Sequence, residues 1–278
     1  GDQQQQLAAD AAMATEEGIR TIWIALGILG LTTVLQVVIV VLSGSVALLA
    51  DTVHNLGDAL NSIPLLIAFY LARRGATRRY TYGFGKAEDV AGIFIVLSIA
   101  FSAGYIFWES FRKLLDPAPL TNLPWVAAAA FIGFLGNEGV AWLQIRAGRR
   151  IGSDAMIADG MHARTDGLTS LAVLLAVLGT WLGFPIADPL IGLLIGVAIL
   201  FITRDAAKTI WYRLMDAVDP SIVDKVERAA AKVPGVQQAH DVRVRWLGHR
   251  LHSELHIVVD EDLPTHASHA IAEEVRHE

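Results

Sequence analysis

Six long apolar runs constrain this chain more than any other feature. A helix needs about 20 mostly apolar residues to cross the hydrocarbon of a bilayer. Runs of that length lie at 21–43, 46–72, 88–115, 123–146, 155–182 and 186–206. Pro, Gly and Asn punctuate the joints, as in DPAPLTNLP and GFPIADP. Only 18% of the 278 residues are charged, against roughly a quarter in soluble domains, and the charges crowd the last quarter. The expected layout is a polar, disordered tail over 1–16, a six-span membrane domain over 17–208 and a soluble domain over 209–278. The first apolar run is too long for the core of a cleavable signal peptide, so none is expected. The fold class is an all-α six-helix transmembrane bundle followed by a small α+β domain.

Orientation follows from the basic residues. Arg73, Arg74, Arg78, Arg79 and Lys86 follow the second run, and Arg146, Arg149 and Arg150 follow the fourth. The other loops hold almost none, with Arg112 and Lys113 the nearest exceptions. Positive loops stay inside, which places both basic loops and both termini in the cytoplasm. The net charge of −6 argues against a nucleic-acid partner, which requires a basic face. There is no cysteine, so any bound metal is held by nitrogen and oxygen. Beyond 207, Asp219-Pro220-Ser221 reads as the start of a helix that runs to Lys232 and ends at Pro234-Gly235. HDVRVRW and LHSELHIVVD alternate as half-buried strands joined at Gly248-His249, and a second helix runs from Thr265. The chain stops where another strand would follow, as in a truncated ferredoxin-like unit.

The chemistry is carried by a repeated segment. Residues 50–62 read ADTVHNLGDALNS and residues 158–170 read ADGMHARTDGLTS. Repeats in transporters commonly bring the substrate site to their interface. His54 and Asp58 are four apart and share a helical face, as do His162 and Asp166. Facing one another, they offer two imidazoles and two carboxylates, a tetrahedral set that suits Zn²⁺. Four intramembrane aspartates (these two with Asp51 and Asp159) would cost about 10–14 kcal/mol against lipid. That is comparable to a whole protein's stability, so they must face a cavity, a cation or each other. The plain alternative is that the motif glues helices together. Asp51 and Asp159 read as partners that orient the imidazoles, as helix-entry residues, or as further ligands. Asn137 and Glu138, inside the fourth run, either line the cavity or pair with a neighbour.

On these residues the chain resembles the cation diffusion facilitator family over nearly its whole length. The resemblance implies that His54, Asp58, His162 and Asp166 form the transport site, a combination associated in that family with zinc. GFGKAE (83–88) matches the family's GxGKAE linker, which implies an interdomain salt bridge from Lys86 to Asp216 near the centre of a homodimer in the plasma (inner) membrane. It also implies metal binding in the cytoplasmic domain through His240, His256 and His269, while His249, His252, His266 and His277 read as surface histidines. The loop RRGATRRYTYGFG lacks the Asp and His that hold a second metal in some members, with Tyr80 and Phe84 where His is expected, so no metal is expected there. The His-rich loop that many eukaryotic zinc members carry between spans four and five is missing.

The expected activity is export of a divalent metal, zinc first, against protons. Neutral imidazole binds metal and protonated imidazole does not, so one site can alternate between the two cargoes. Fe²⁺, Co²⁺, Cd²⁺ and Ni²⁺ also accept His and carboxylate ligands. A membrane metalloenzyme would keep an open coordination position for water, which a four-ligand set closes, so the chain is read as a transporter and not an enzyme. A passive channel requires weak or multiple sites, and a sensor built on the soluble domain leaves the intramembrane repeat without a role.

Overall fold

The computed structural model describes residues 2–44, 46–117 and 120–278; the side chains at 2–4, 46–48, 50, 51 and 54 lie outside the description. The order is α1 (Asp2–Ser43), α2 (Val46–Ala59), α3 (Ile63–Ala72), α4 (Lys86–Leu115), α5 (Leu123–Ile151), α6 (Asp154–Trp181) and α7 (Ala187–Leu214), then α8 (Pro220–Ala231), β1 (Gln238–Leu247), β2 (Arg250–Val258) and α9 (Thr265–His277). Five segments are long and apolar enough to cross a membrane: α1, α2–α3, α4, α5 and α7. Asp154, Asp159, Arg164 and Asp166 make α6 more polar, yet it is 28 residues long and packs among α4, α5 and α7.

Two elements differ from the sequence expectation. The second run is not one helix; a 3₁₀ turn at Leu60–Ser62 separates α2 from α3. Pro64, in the first turn of α3, has no N–H for the carbonyl four residues back, and its ring crowds that carbonyl. The tail expected to be disordered over 1–16 is helical from Asp2. Its end is held by tertiary contact, since Thr15 is buried and bonded to the C-terminal domain.

Burial is inverted relative to a water-soluble protein. Gln36, Ser62, Asn137, Gln144, Asp159, His162 and Thr165 are buried, while Leu31, Val41, Phe94, Phe101, Trp108 and Leu194 face outward. Lipid leaves apolar side chains content outside and drives polar ones to the bundle interior. α5 and α6 form a tight antiparallel pair. Gly152 closes α5 at φ 78°, and Ser153 caps α6 by accepting the Met156 N–H at 3.1 Å. A Cβ on Gly148 would lie 2.9 Å from the Ile157 nitrogen, and one on Gly160 would lie 3.0 Å from that of Ile145. Small residues at these crossings let the two backbones touch. α4 packs along α7, and α1 along α5. Ile19, Ile22, Leu65, Phe69, Ile95, Ile99, Met156 and Ile199 form the main apolar core.

The C-terminal domain forms as its sequence reads. Asp219 caps α8 by accepting the Ser221 N–H at 2.9 Å, with Pro220 in the first turn. β1 and β2 pair antiparallel, with Leu247 opposite Arg250. The two-residue turn between them has Gly248 at φ 66°, the conformation that a hairpin turn with glycine first requires.

Candidate metal centre

α2, α5 and α6 converge on a cavity of about 20 Å³ that is lined by Asp58, Asn137, Gln144, Asp159, His162 and Asp166. That volume admits about one water-sized occupant. His162 is 4% exposed, and its Nε2 is buried with no hydrogen-bond partner among the described residues. Its Nδ1 lies 3.8 Å from the Asp166 carboxylate, too far for a hydrogen bond. An unsatisfied buried polar atom costs about 1–3 kcal/mol, a penalty that a bound cation would remove. The structure therefore brings Asp58, His162 and Asp166 to one cavity. The side chains of His54 and Asp51 lie outside the described residues, on α2.

Asp159 takes partners that its spacing did not suggest. Its Oδ2 accepts from Ser62 Oγ at 2.8 Å and from Gln144 Nε2 at 2.7 Å. It thereby joins the 3₁₀ turn, α5 and α6 beneath the cavity. Ser62 is the last residue of the repeated segment, whereas Gln144 does not stand out, because a lone Gln in an apolar run carries no spacing signal. Of the two polar residues in the fourth run, Asn137 lines the cavity and bonds back to the Gly133 carbonyl at 2.9 Å. Glu138 pairs with Arg164 of α6 at 3.3 Å.

Asp58 and Asp166 also line a second, larger cavity of about 220 Å³. Its walls reach Glu109 and Lys113 near the end of α4 and Asp188 at the start of α7, where Lys113 and Asp188 pair at 3.1 Å. α7 leads from that end to the C-terminal domain, so this vestibule lies toward the opposite end of the bundle. Its walls are mixed, with Thr52, Ser102, Tyr105, Thr169 and Ser170 beside Ile106, Val126 and Ala129.

In the C-terminal domain, His240 and His256 are cross-strand partners, with ring centroids 5.5 Å apart. Asp241 completes the group, its carboxylate 3.0 Å from His240 Nδ1 and 3.5 Å from His256 Nδ1. Their ligand atoms lie close enough to share one ion. A register shift between His240 and Arg243 and a φ of 52° at Asp241 explain how neighbouring residues reach the same ion, since a bulge re-aims a side chain that would otherwise face the other side of the strand. The HD dipeptide was the only signal for Asp241 in the sequence. His269 is not brought into this group; it is exposed on α9, which buries none of its residues.

At the joint between the two domains, Lys86 Nζ lies 2.8 Å from Asp216 Oδ1 and Arg245 adds a contact at 3.3 Å. The Lys86 hydrogen bond, aided by Arg245, holds the Asp216 carboxyl below the usual carboxylate range. Arg213, to which no role was assigned in the sequence, is the hub here. It donates to Asp154 at 2.6 Å, to the Gly248 carbonyl at 2.7 Å and to the Gly152 carbonyl at 3.0 Å, under the Trp246 ring at 3.9 Å. His249, expected on the surface, is 7% exposed. The hairpin turn carries it into the joint, and turn residues give no periodicity from which burial can be read.

Comparison with known proteins covers both parts of the chain. A profile described as the cation efflux transmembrane domain matches residues 22–215, and one described as the cation efflux protein cytoplasmic domain matches residues 218–278. A probable cation efflux system protein of Mycobacterium tuberculosis (strain H37Rv) is 54% identical over 269 residues, covering 97% of this chain and 81% of its own length. Metal tolerance protein 2 of Oryza sativa subsp. japonica is 31% identical, covering 85% of this chain and 68% of its own length. The cation-efflux pump FieF of Yersinia pestis (strain Pestoides F) is 30% identical, covering 84% and 79%.

Proposed function

The chain belongs to the cation efflux family of integral membrane transporters, and from that premise we propose that it exports a divalent transition metal, zinc first, in exchange for protons. The observation that carries the reading is the buried Nε2 of His162, which has no hydrogen-bond partner among the described residues, in a one-occupant cavity with Asp58 and Asp166. His54 would complete the donor set from α2. Two imidazoles and two carboxylates suit Zn²⁺; Fe²⁺, Co²⁺, Cd²⁺ and Ni²⁺ are the alternatives that the same donors accept.

The cargo reaches Asp58 and Asp166 and leaves through the vestibule, toward the end of the bundle away from the C-terminal domain. Protons entering by the same route neutralise the carboxylates and occupy the imidazoles, which releases the metal. The apolar core beside α3, α4 and α6 separates the site from the opposite side until the bundle rearranges. His240, Asp241 and His256 hold a second, regulatory ion, and two copies of the chain assemble through the cytoplasmic domain as a homodimer in the plasma (inner) membrane, with both termini in the cytoplasm.

The test is uptake into proteoliposomes across a panel of divalent ions, with wild type beside Asp58→Ala and His162→Ala. Wild type takes up zinc, both variants lose at least about tenfold in rate, the scale set by one lost metal contact, and acidifying the cytoplasmic face slows wild type. Variants that transport like wild type would make the motif structural. A rate indifferent to pH between about 6 and 8, where imidazoles titrate, would remove the proton coupling.

A further inference from the structure

The loop between α3 and α4 (residues 73–85) reads RRGATRRYTYGFG and carries four arginines and no acidic residue. Arg73 is taken up by Glu16 of α1, whose carboxylate accepts from its Nε and Nη2 at 2.7 Å each. Arg74, Arg78 and Arg79 are exposed and, among the described residues, make no ion pair. Elsewhere on the bundle, carboxylates take up Arg112, Lys113, Arg150, Arg204 and Arg213. Three positive charges are therefore gathered on one loop that has no acidic residue of its own to balance them.

The loop holds these charges in place. The Thr77 N–H donates to the Tyr80 carbonyl at 3.0 Å, and the Tyr80 N–H donates to Thr77 Oγ1 at 3.0 Å, so Arg78 and Arg79 form the tip of a closed turn. Tyr80 packs on Phe84 with ring centroids 4.6 Å apart, and the Tyr82 ring centroid lies 4.7 Å from the Arg245 guanidinium of β1, which ties the loop to the soluble domain. At the foot of the loop, Trp23 Nε1 of α1 donates to Tyr70 Oη of α3 at 2.9 Å. The Arg73 guanidinium lies 5.0 Å from the Tyr70 ring centroid. Both rings of the Trp23–Tyr70 pair are exposed, and an outward-facing Trp–Tyr pair at the end of apolar helices marks the level of the membrane–water interface. Arg74 follows Tyr70 by one helical turn, about 6 Å. The headgroup layer is about 5–8 Å deep on each face of a bilayer, so Arg74 stands within it, and the turn at Thr77–Tyr80 follows directly.

We propose that this loop is a docking site for the phosphate headgroup of an anionic phospholipid, held by Arg74, Arg78 and Arg79 beside the Trp23–Tyr70 pair. The guanidinium fork matches two phosphate oxygens, and clustered basic residues next to a membrane helix are drawn to a leaflet that carries anionic lipid. Setting the topology of the chain requires positive charge on this side of the membrane and no particular conformation. A closed turn that presents two of the three arginines next to an interfacial aromatic pair is what a headgroup site adds. The site touches no cargo, and it does not depend on which metal is exported or on what drives export.

Native mass spectrometry of the full chain in detergent, titrated with phosphatidylglycerol or with phosphatidylcholine, reads bound lipid directly. Wild type binds phosphatidylglycerol at least about tenfold more tightly than phosphatidylcholine. Arg74→Gln, Arg78→Gln and Arg79→Gln each weaken phosphatidylglycerol binding by about fivefold, the scale of one basic residue at an anionic surface, and the variant carrying all three loses the preference. A control with Arg146→Gln, Arg149→Gln and Lys208→Gln removes the same charge from exposed positions elsewhere on the bundle and keeps the preference of wild type. Equal binding of the two lipids by wild type overturns the proposal, as does a preference that survives loss of all three loop arginines. An equal loss in the control would make the attraction one of diffuse charge without a site. Displacement of the lipid by excess glycerol 3-phosphate would make the ligand a soluble phosphate. Either result overturns the proposal as well.

Discussion

Asp159 is the residue whose role changed most between sequence and structure. Its buried carboxylate accepts from Ser62 and Gln144 and so fastens the 3₁₀ turn, α5 and α6 together. Replacing it with alanine strands two buried donors, each at a cost of about 1–3 kcal/mol. Asp159→Ala is expected to lower the Tm of the detergent-solubilised chain by several degrees, while Asp159→Asn, which keeps one acceptor oxygen, loses less. Ion preference in the uptake panel stays that of wild type. An unchanged Tm, or an altered ion preference, would give Asp159 a direct place in the cation's coordination instead.

At the scale of elements, departures from ideal geometry position the chemistry. The 3₁₀ turn at Leu60–Ser62 separates α2 from α3 and carries Ser62, which bonds Asp159. Glycines at the α5–α6 crossing bring the two backbones together and seat Gln144 beside Asp159. In β1, the irregularity after His240 places Asp241 between two histidines. Asp241→Ala is therefore expected to weaken zinc binding by the cytoplasmic domain by about 10–100-fold, the range that even an outer carboxylate partner commands. Calorimetric titration of the full chain, with Asp58→Ala as background to silence the membrane site, measures this directly. Equal affinities with and without Asp241 would restrict the ion to the two imidazoles.

For the whole molecule the decisive feature is the joint between bundle and soluble domain. Two ion pairs meet there, one exposed at Lys86–Asp216 and one, between Arg213 and Asp154, with its guanidinium buried. The Asp216 carboxyl is held down by Lys86, so its contribution is full above the ordinary carboxylate value of about 3.9 and fades only as pH falls through its depressed value. Both side chains are about two-fifths exposed, where such pairs are worth about 0–1 kcal/mol. The Tm difference between wild type and Asp216→Asn should be small and constant from pH about 7 down to about 5, measured by thermal unfolding in detergent. A difference that grows or vanishes within that window would show that the pair is coupled to a group that titrates there.

The spans, the order of elements in the soluble domain and the repeated Asp-x-x-His-x-x-x-Asp segments were legible in the sequence, because hydropathy, period-2 alternation and helical spacing are local properties that each segment carries by itself. Tertiary structure decided what no local pattern encodes. It paired Asp159 with Ser62 and Gln144, sent His249 inward at the tip of a turn, made Arg213 the hub of the joint and left His269 apart from His240 and His256. Each of these outcomes depends on which backbones approach closely and on where a buried polar group finds its partner, and those partners lie up to 234 residues away along the chain.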